Sequence, residues 1–435
     1  MNIAYVTAGA AGMYCGSCLH DNTLATELIR QGHDVSLIPT YTPIRTDELD
    51  VSIDRVFYGA INVYLEQKSS FFRHTPRFID RLLNNTSLLN WVSGKQSSVD
   101  AAQLGELTLS VLEGEEGKQA KELERLVDWL RDDLKPDIVN LTNTMFLGMA
   151  RRIKQELGVP VICSVQGEDI FYDDLIEPYK GRILSVLKER AQDADGYLST
   201  SRYYVEPMSE LLGVAPEKID VVPLGIRLAD HAEPPPRDEG RPFTIGYLAR
   251  ICPEKGLHLL LDAFRQLLDE SDDRSQLKLR IGGYLGERDR AYDAELKAHA
   301  KEWGIDDRID WLGEVDRAQK LDLLHSIDVL SVPTIYREPK GLPVIEALAN
   351  AVPVVQPAHG AFVEMHEELG GGLLFEPGNV TALVQALDRL RQDPTTRVRL
   401  GREGMEAVHR LRDDETMARR TIEVYETFLN RGEHG

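Results

Sequence analysis

The sequence contains few cysteines and no long apolar run. Four cysteines in 435 residues are too few for a disulfide framework, and they fit a reducing compartment. No apolar run of about 18 residues is present to span a bilayer, and the N-terminus lacks a basic segment followed by an apolar one. We therefore predict a cytoplasmic protein.

Positive charge is also scarce. Lys and Arg total 50 against 71 Asp and Glu, so the formal net charge is −21. A field of this sign repels nucleic acid and anionic membranes, and either partner would require a local basic patch. One basic and aromatic stretch does occur, at 68–95. It either contacts a membrane surface or an anionic acceptor, or forms a lid whose arginine stems pack on the first domain.

Short apolar runs alternate with amphipathic segments along the whole chain, which predicts parallel sheets covered by helices. In the first half, strands are predicted in NIAYVTA, DVSLIPTY, PDIVNLT, VPVICSV, DGYLSTS and KIDVVPL. The pattern restarts at residue 243, with strands predicted in FTIGYLA, LKLRIGG, RIDWLGE, DVLSVP and VPVVQP. The hydrophobic fraction of 42% is enough for two cores in a chain of this length.

A polar stretch with three consecutive prolines separates the two series and suits an extended linker. The fold class predicted is α/β, with two doubly wound Rossmann-like domains in series. The predicted ranges are an N-terminal domain at 1–228 with an insert at about 66–100, a linker at 229–241, a C-terminal domain at 242–411, and a terminal helix at 412–435.

Loops at the carboxyl ends of strands hold the ligands of doubly wound sheets, so these loops contain the candidate site residues. The loop after the first strand contains Gly12, and the strand LKLRIGG ends at Gly283. The loop RICPEKG contains Arg250 and Lys255, which are placed to neutralise a diphosphate. The alternative for both cations is ordinary surface solvation.

The segment REPKGLPVIE, 337–346, predicts an anion site at a helix start. Pro343 suits the first helical position, and the N–H groups of Gly341 and Leu342 would then lie at the positive end of the helix dipole. We expect Glu346 in the first turn and Glu338 outside the helix, so that they contact different parts of one ligand. A nucleotide sugar fits this arrangement, because it has hydroxyls at both ends and phosphates between them. Alternatively, one carboxylate complements the dipole and the other is solvated.

Together these segments resemble the retaining glycosyltransferases of the GT-B fold, in the large family 4 group. The resemblance is most specific over 243–380 and includes GYLARICPEKG, DVLSVPTIYREPKGLPVIEALANAVPVV and GGGLLFEPGN. It implies two Rossmann-like domains facing across a cleft, with the C-terminal helix crossing back to pack on the N-terminal domain. It also implies transfer of a sugar from a nucleotide-diphosphate donor to an acceptor hydroxyl, with retention of configuration and without a metal or other cofactor.

The resemblance assigns roles position by position. The implied catalytic residues are Arg250 and Lys255, which would hold and stabilise the leaving diphosphate, and Glu338, which would face the hydroxyls of the donor sugar. Glu346 would contact the nucleotide ribose. The implied donor-binding set comprises Gly12, Gly283, Lys340, Gly341, Leu342 and Glu346.

Some positions depart from the family pattern. Gln166 stands where many members have a histidine, and an amide donates a hydrogen bond but cannot shuttle a proton. Glu168 and Asp169 follow it, and they either contact the acceptor at the cleft edge or lie in a solvated loop. Lys340 replaces a common aromatic residue and adds a cation. Ala351 replaces a usual glycine, which would lower stability if that position needs positive φ.

The motif YCGSCLH places Cys15 and Cys18 in or just past the first strand-end loop. Such a pair can be redox-active or bind metal, and Cys163 and Cys252 also lie near strand ends. A second ligand pair at a fitting spacing is missing, so no metal site is predicted and ordinary thiols remain the alternative.

Two other functions remain open at the level of the sequence. One is an α-glucan synthase resembling glycogen synthase, because INVYLEQKSSFF loosely resembles that branch. The other is a protein that binds a nucleotide sugar without transferring it. The donor base, the sugar, the acceptor and the oligomeric state are not determined by these residues.

Overall fold

The computed structural model describes residues 1–9, 16–53, 56–58, 101–234 and 240–432, with the backbone alone for 101–103. These residues form two compact units, which are Met1–Leu224 with Asp414–Gly435, and Gly225–Asp413. Each unit contains a six-stranded sheet of parallel strands flanked by helices. The predicted α/β class with two doubly wound units is confirmed.

The first unit has the strand order β2-β1-β3-β4-β5-β6. Its strands are Asn2–Thr7 (β1), Asp34–Pro39 (β2), Ile138–Leu141 (β3), Val161–Val165 (β4), Gly196–Ser199 (β5) and Ile219–Val221 (β6). Its helices before the second unit are Gly16–Arg30 (α1), Ala101–Leu112 (α2), Ala120–Trp129 (α3), Leu147–Leu157 (α4), Asp169–Asp173 (α5), Tyr179–Arg190 (α6) and Val205–Leu212 (α7). The central strands are buried on both faces, which explains their continuous apolar runs.

The second unit has the strand order β12-β11-β10-β7-β8-β9. Its strands are Phe243–Leu248 (β7), Leu277–Gly282 (β8), Ile309–Gly313 (β9), Val329–Leu330 (β10), Val354–Pro357 (β11) and Gly372–Phe375 (β12). Its helices are Leu257–Asp269 (α8), Arg290–Glu302 (α9), Arg317–Ser326 (α10), Leu342–Ala349 (α11), Ala361–Leu369 (α12), Val380–Gln392 (α13) and Pro394–Leu411 (α14).

All the predicted strands are present, and one strand in the described part of the chain was missed. Strand β12 follows two glycines and has only four residues, so its sequence lacks the length and the β-branched residues that indicate a strand. Its pairing with β11, from Val354 opposite Gly372 to Pro357 opposite Phe375, places it at the edge of the sheet.

The last helix, Asp414–Gly432 (α15), belongs to the first unit and packs against α1. Met417 and Tyr425 are buried on its inner face, and Arg30 of α1 is bonded to both Glu27 and Glu415. The chain therefore returns to its first unit after completing the second, as the resemblance implied.

The stretch that leads into the second unit packs on that unit. Asn350 Nδ2 donates a hydrogen bond to His231 Nδ1 at 2.7 Å, and Glu233 pairs with Arg402 at 2.8 Å. Residues 235–239 of the predicted linker lie outside the described residues. So do Gly12, Cys15 and the predicted insert at about 66–100, which includes the basic stretch 68–95. No helix in the described part of the chain is long and apolar enough to cross a membrane.

Ala351, just after α11, has a φ of 54°, in the left-handed region that L-residues rarely adopt. Its carbonyl oxygen would lie 2.1 Å from a Cβ at Gly401, so α14 packs closely against this turn. The substitution of the usual glycine therefore places an alanine in a strained conformation.

We predict that Ala351→Gly stabilises the protein. Left-handed backbone costs an L-residue about 1–2 kcal/mol, and the greater freedom of glycine in the unfolded chain offsets about 0.5–1 kcal/mol. The expected gain in free energy of unfolding is about 0.5–1 kcal/mol, measurable by urea denaturation. Ala386→Gly, inside α13, is the matched control and should destabilise. A loss of stability in both variants would contradict the strain.

Candidate functional site

Loops from three strand ends meet in the second unit. The loop after β7 contains a short 3₁₀ turn, Pro253–Lys255, and the next residue is Gly256. A Cβ at Gly256 would lie 1.8 Å from the carbonyl oxygen of Pro333, so only glycine permits this approach to the loop after β10. Gly283, after β8, similarly lies against the backbone of Ala249. A Cβ at Gly283 would lie 1.7 Å from the carbonyl oxygen of Ala249. The predicted site loops are therefore adjacent.

Lys255 and Glu338 form an ion pair where these loops meet. The Lys255 Nζ lies 2.5 Å from Glu338 Oε2, and the side chains are only 20% and 8% exposed. Tyr336 bonds to both: it accepts from Lys255 at 2.9 Å and donates to Glu338 at 2.6 Å. The aromatic ring also lies below the ammonium, 4.8 Å from centroid to Nζ.

The pair determines the charge state of the carboxylate. Burial alone would raise the pKa of Glu338, but the charge of Lys255 and the hydrogen bonds from Lys255 and Tyr336 outweigh it and lower that pKa to about 2. Glu338 is therefore an anion at neutral pH, with low basicity.

The turn before α11 is organised around the same carboxylate. The backbone N–H groups of Lys340 and Gly341 both point at Glu338 Oε1, at 3.3 and 3.4 Å. We expected the Gly341 N–H to be available to a ligand, but it has an acceptor within the protein, Glu338 Oε1, at the long distance of 3.4 Å. The backbone oxygen of Glu338 accepts from Ala361 at 2.8 Å, which ties the turn to α12.

Helix α11 begins one residue earlier than predicted. Its first residue is Leu342 and Pro343 is second, with Gly341 as the N-cap. Glu346 consequently lies in the second turn, and the prediction of the first turn was wrong. Its carboxylate Oε1 accepts from Lys320 Nζ at 2.6 Å, with side chains 6% and 9% exposed.

Sequence reasoning missed Lys320. It lies on the inner face of α10, three and four residues before Leu323 and Leu324, which are fully buried. That spacing was a usable signal, because a lysine on the apolar face of a helix requires an acidic partner.

Arg250 lies in the same loop as Lys255 and is exposed. Its Nε donates to Cys252 Sγ at 3.3 Å, and its carbonyl oxygen accepts from Tyr247 at 3.1 Å. Cys252 is buried, and burial raises the pKa of its thiol. Arg250 therefore extends from a loop that is held at the end of β7.

In the first unit, Gln166 directly follows β4 and joins a buried polar cluster. Its Nε2 donates to Asp21 Oδ1 at 2.9 Å, and Asp21 also accepts from Thr7 at 2.9 Å and Tyr5 at 3.4 Å. His20 Nδ1 lies 3.1 Å from the same carboxylate. Sequence reasoning missed this cluster, because no spacing pattern links Asp21 to Gln166.

Glu168 is buried and Asp169 is partly exposed, so the solvated-loop alternative was wrong for Glu168. Glu168 is 5% exposed and accepts from the backbone of Gln166 at 2.7 Å and of Thr144 at 3.4 Å. Asp169 accepts from Tyr204 at 2.7 Å, and burial raises its pKa. Glu168 orders the loop backbone, and only Asp169 of the two is partly exposed.

Cys18, Cys163 and Cys252 are buried thiols that are not in disulfides. Within the described ranges, no group of three or more His, Cys, Asp or Glu side chains is arranged to hold a metal ion.

Two family models match the chain. Residues 231–407 match the model described as Glycosyl transferases group 1, and residues 22–225 match the Glycosyl transferase 4-like domain. The two matches correspond to the two units and lie on either side of the connection between them.

Curated relatives include a phosphatidyl-myo-inositol mannosyltransferase of Mycobacterium leprae, 33% identical over 43% of this chain and 48% of the relative. A glycogen synthase of Mycobacterium tuberculosis is 24% identical over 67% of this chain and 69% of its own. The chain spans about half the length of the first curated relatives it matches, at 48%, 47% and 51%.

Solved structures with the same fold include the sucrose-phosphate synthase from Thermosynechococcus elongatus, with a TM-score of 0.73, 19% identity and 99% of both chains covered. Another is Anabaena HepE in complex with UDP, with a TM-score of 0.68, 17% identity, and 98% of this chain and 100% of the other covered.

We predict that Glu338→Gln lowers the free energy of unfolding by about 3 kcal/mol near pH 7, because Lys255 is left largely buried without its counterion. The folded-state pKa of Glu338 lies near 2, below its ordinary 4.5. Its stabilisation is therefore complete above that ordinary value and is lost as pH falls towards 2. The difference in free energy of unfolding between wild type and Glu338→Gln should therefore narrow as the pH falls from about 4.5 towards 2.

Urea unfolding at a series of pH values measures this difference. Glu403→Gln, which breaks the exposed pair with Arg399, is the control and should change stability far less. A gap between wild type and Glu338→Gln that stays constant from pH 7 to the acid limit would contradict the role of the ion pair.

Proposed function

Because the chain belongs to the glycosyl transferases group 1 family, we propose that it is a retaining glycosyltransferase. It moves a sugar from a nucleoside diphosphate to an acceptor hydroxyl. The observation that carries this proposal is the buried Lys255–Glu338 pair, placed directly before the start of α11 and beside the loop that contains Arg250.

Positive charge converges where a diphosphate would bind. An ammonium has three N–H groups, and Lys255 uses two of them on Tyr336 and Glu338, which leaves one for a phosphate oxygen. The N-terminus of α11 adds the positive end of its dipole. Arg250 contributes a guanidinium fork whose Nε alone is engaged with Cys252. These groups stabilise the charge that develops as the diphosphate leaves.

Glu338 is better suited to orient groups than to attack carbon. Both of its oxygens already accept hydrogen bonds, and its pKa near 2 makes it a weak base. We therefore assign it to holding Lys255 and the 338–341 turn against the donor sugar. The acceptor hydroxyl then attacks on the face from which the diphosphate departs, and the diphosphate takes its proton.

UDP is the first donor nucleotide to test, since the fold neighbour HepE binds it. The charge supplied by Lys255, Arg250 and the helix start leaves no need for a divalent cation, so the proposed reaction is metal-independent. In the first unit, Gln166 and Asp169 are the proposed acceptor-side residues, with Glu168 ordering their loop.

An α-glucan synthase is the second candidate function. The match to a glycogen synthase covers a larger share of this chain, 67%, than the match to the mannosyltransferase, 43%. Incorporation of labelled sugar into a glucan primer would support it. Transfer only to small polyols or lipid-linked sugars would exclude it.

We predict that Lys255→Met lowers kcat/KM for the donor by about 10²–10³-fold, the usual effect of removing one preorganised group that stabilises developing charge. The donor is chosen by a thermal-shift panel of nucleoside diphosphates and their sugars, since ligand binding to the native state raises Tm. Release of nucleoside diphosphate is then measured with and without EDTA, and EDTA should have no effect.

Lys301→Met, at an exposed position of α9, is the matched control and should keep wild-type turnover. Unchanged turnover in Lys255→Met would contradict the assignment of Lys255 to stabilising the leaving diphosphate. Donor binding without any turnover across the acceptor panel would instead favour a protein that only binds the nucleotide sugar.

A further inference from the structure

The Lys320–Glu346 pair is a second buried charge pair, one helical turn beyond the proposed diphosphate site. Lys320 is fixed by the first turn of α10, where Asp316 and Gln319 form a reciprocal capping box and the Lys320 N–H donates to Asp316 at 2.8 Å. Its ammonium reaches Glu346 Oε1 at 2.6 Å with both side chains more than nine-tenths buried.

The second oxygen of this carboxylate is unmatched. Oε2 of Glu346 accepts no hydrogen bond from any residue that the structure describes, whereas Oε1 is bonded to Lys320. Although the Glu346 side chain is only 6% exposed, Oε2 is not a fully enclosed atom, so a ligand hydroxyl can reach it and donate to it. The backbone of Glu346 is held as well, because Asn350 Nδ2 donates to its carbonyl oxygen at 2.8 Å.

We propose that Lys320 is a positioning residue of the donor site, which aims Glu346 Oε2 at the ribose hydroxyls of the nucleoside diphosphate. The inference rests on the proposed function and on the contact between Glu346 and the nucleotide ribose that the family resemblance implies. It adds the group that orients that carboxylate, and it predicts selection for ribose over deoxyribose nucleotides.

The charge of Lys320 has a second consequence for the donor. Glu346 lies four residues after Leu342, so its Cα is about 6 Å along the helix axis from the helix start. An uncompensated carboxylate at that distance would repel a diphosphate bound at the helix start. The ammonium cancels this repulsion and leaves a neutral pair that still offers one hydrogen-bond acceptor.

The expected preference for ribose over deoxyribose nucleotides follows from hydrogen bonding. A hydrogen bond to a charged group contributes enough for a ribose hydroxyl to improve affinity about tenfold or more. Removing the hydroxyl from the ligand, or the orienting ammonium from the protein, loses the same interaction. The two changes should therefore not be additive.

Calorimetric titration with UDP, 2′-deoxy-UDP and 3′-deoxy-UDP tests this inference. Wild type should bind UDP about tenfold or more tightly than at least one deoxy analogue. In Lys320→Met this ratio should fall to about 1–3, with a raised KM for the UDP-sugar and little change in kcat. Lys320→Arg retains the cation and should retain most of the selection, whereas Lys301→Met should match wild type.

Glu346→Gln provides a second variant if Lys320→Met fails to fold, because it keeps the shape and should lose the same selection. Equal binding of UDP and both deoxy analogues by wild type overturns the inference and leaves the proposed function standing. So does a ratio that is unchanged in a folded Lys320→Met. If wild type binds no nucleoside diphosphate at all, the proposed function fails and this inference fails with it.

Discussion

The arrangement of the candidate site depends on one buried ion pair, Lys255 with Glu338. A carboxylate is stable in this environment only when several donors converge on it, and here an ammonium, a phenol and two backbone amides do so. Those contacts tie the loop after β7 to the turn before α11. The orientation of the helix start, and with it the direction of the helix dipole, follows from this attachment.

The two carboxylates of REPKGLPVIE are held in the same way. Each is buried and paired with one lysine, Lys255 outside the helix and Lys320 beside its second turn. Pairing removes the net negative charge that would otherwise face an anionic ligand at the helix start. In the proposed reaction, a phosphate group would meet the positive end of α11 together with the third N–H of Lys255, which Tyr336 and Glu338 do not use.

Predictions from sequence succeeded where local patterning carries the information. The buried strands, the return of the terminal helix and the strained alanine after α11 all follow from periodicity, or from the resemblance that the motifs support. Predictions failed where a side chain's environment mattered. Glu346 was expected in the first turn of the helix and instead lies in the second, where it pairs with Lys320. A solvated loop was one of the two alternatives for Glu168, which instead is buried and binds backbone amides.

The amino-acid sequence by itself determined the α/β class, eleven of the twelve strands that the structure describes, and the strand-end loops that contain Arg250, Lys255 and Glu338. Hydrophobic periodicity and turn residues act over a few positions, so they can be read directly. Only the tertiary structure decided the partners, because these lie 83 residues apart for Lys255 and Glu338, 26 for Lys320 and Glu346, and 145 for Asp21 and Gln166. Which charged residues pair depends on how the parallel strands align their carboxyl ends. No local sequence pattern encodes the pairing of residues so far apart in the chain.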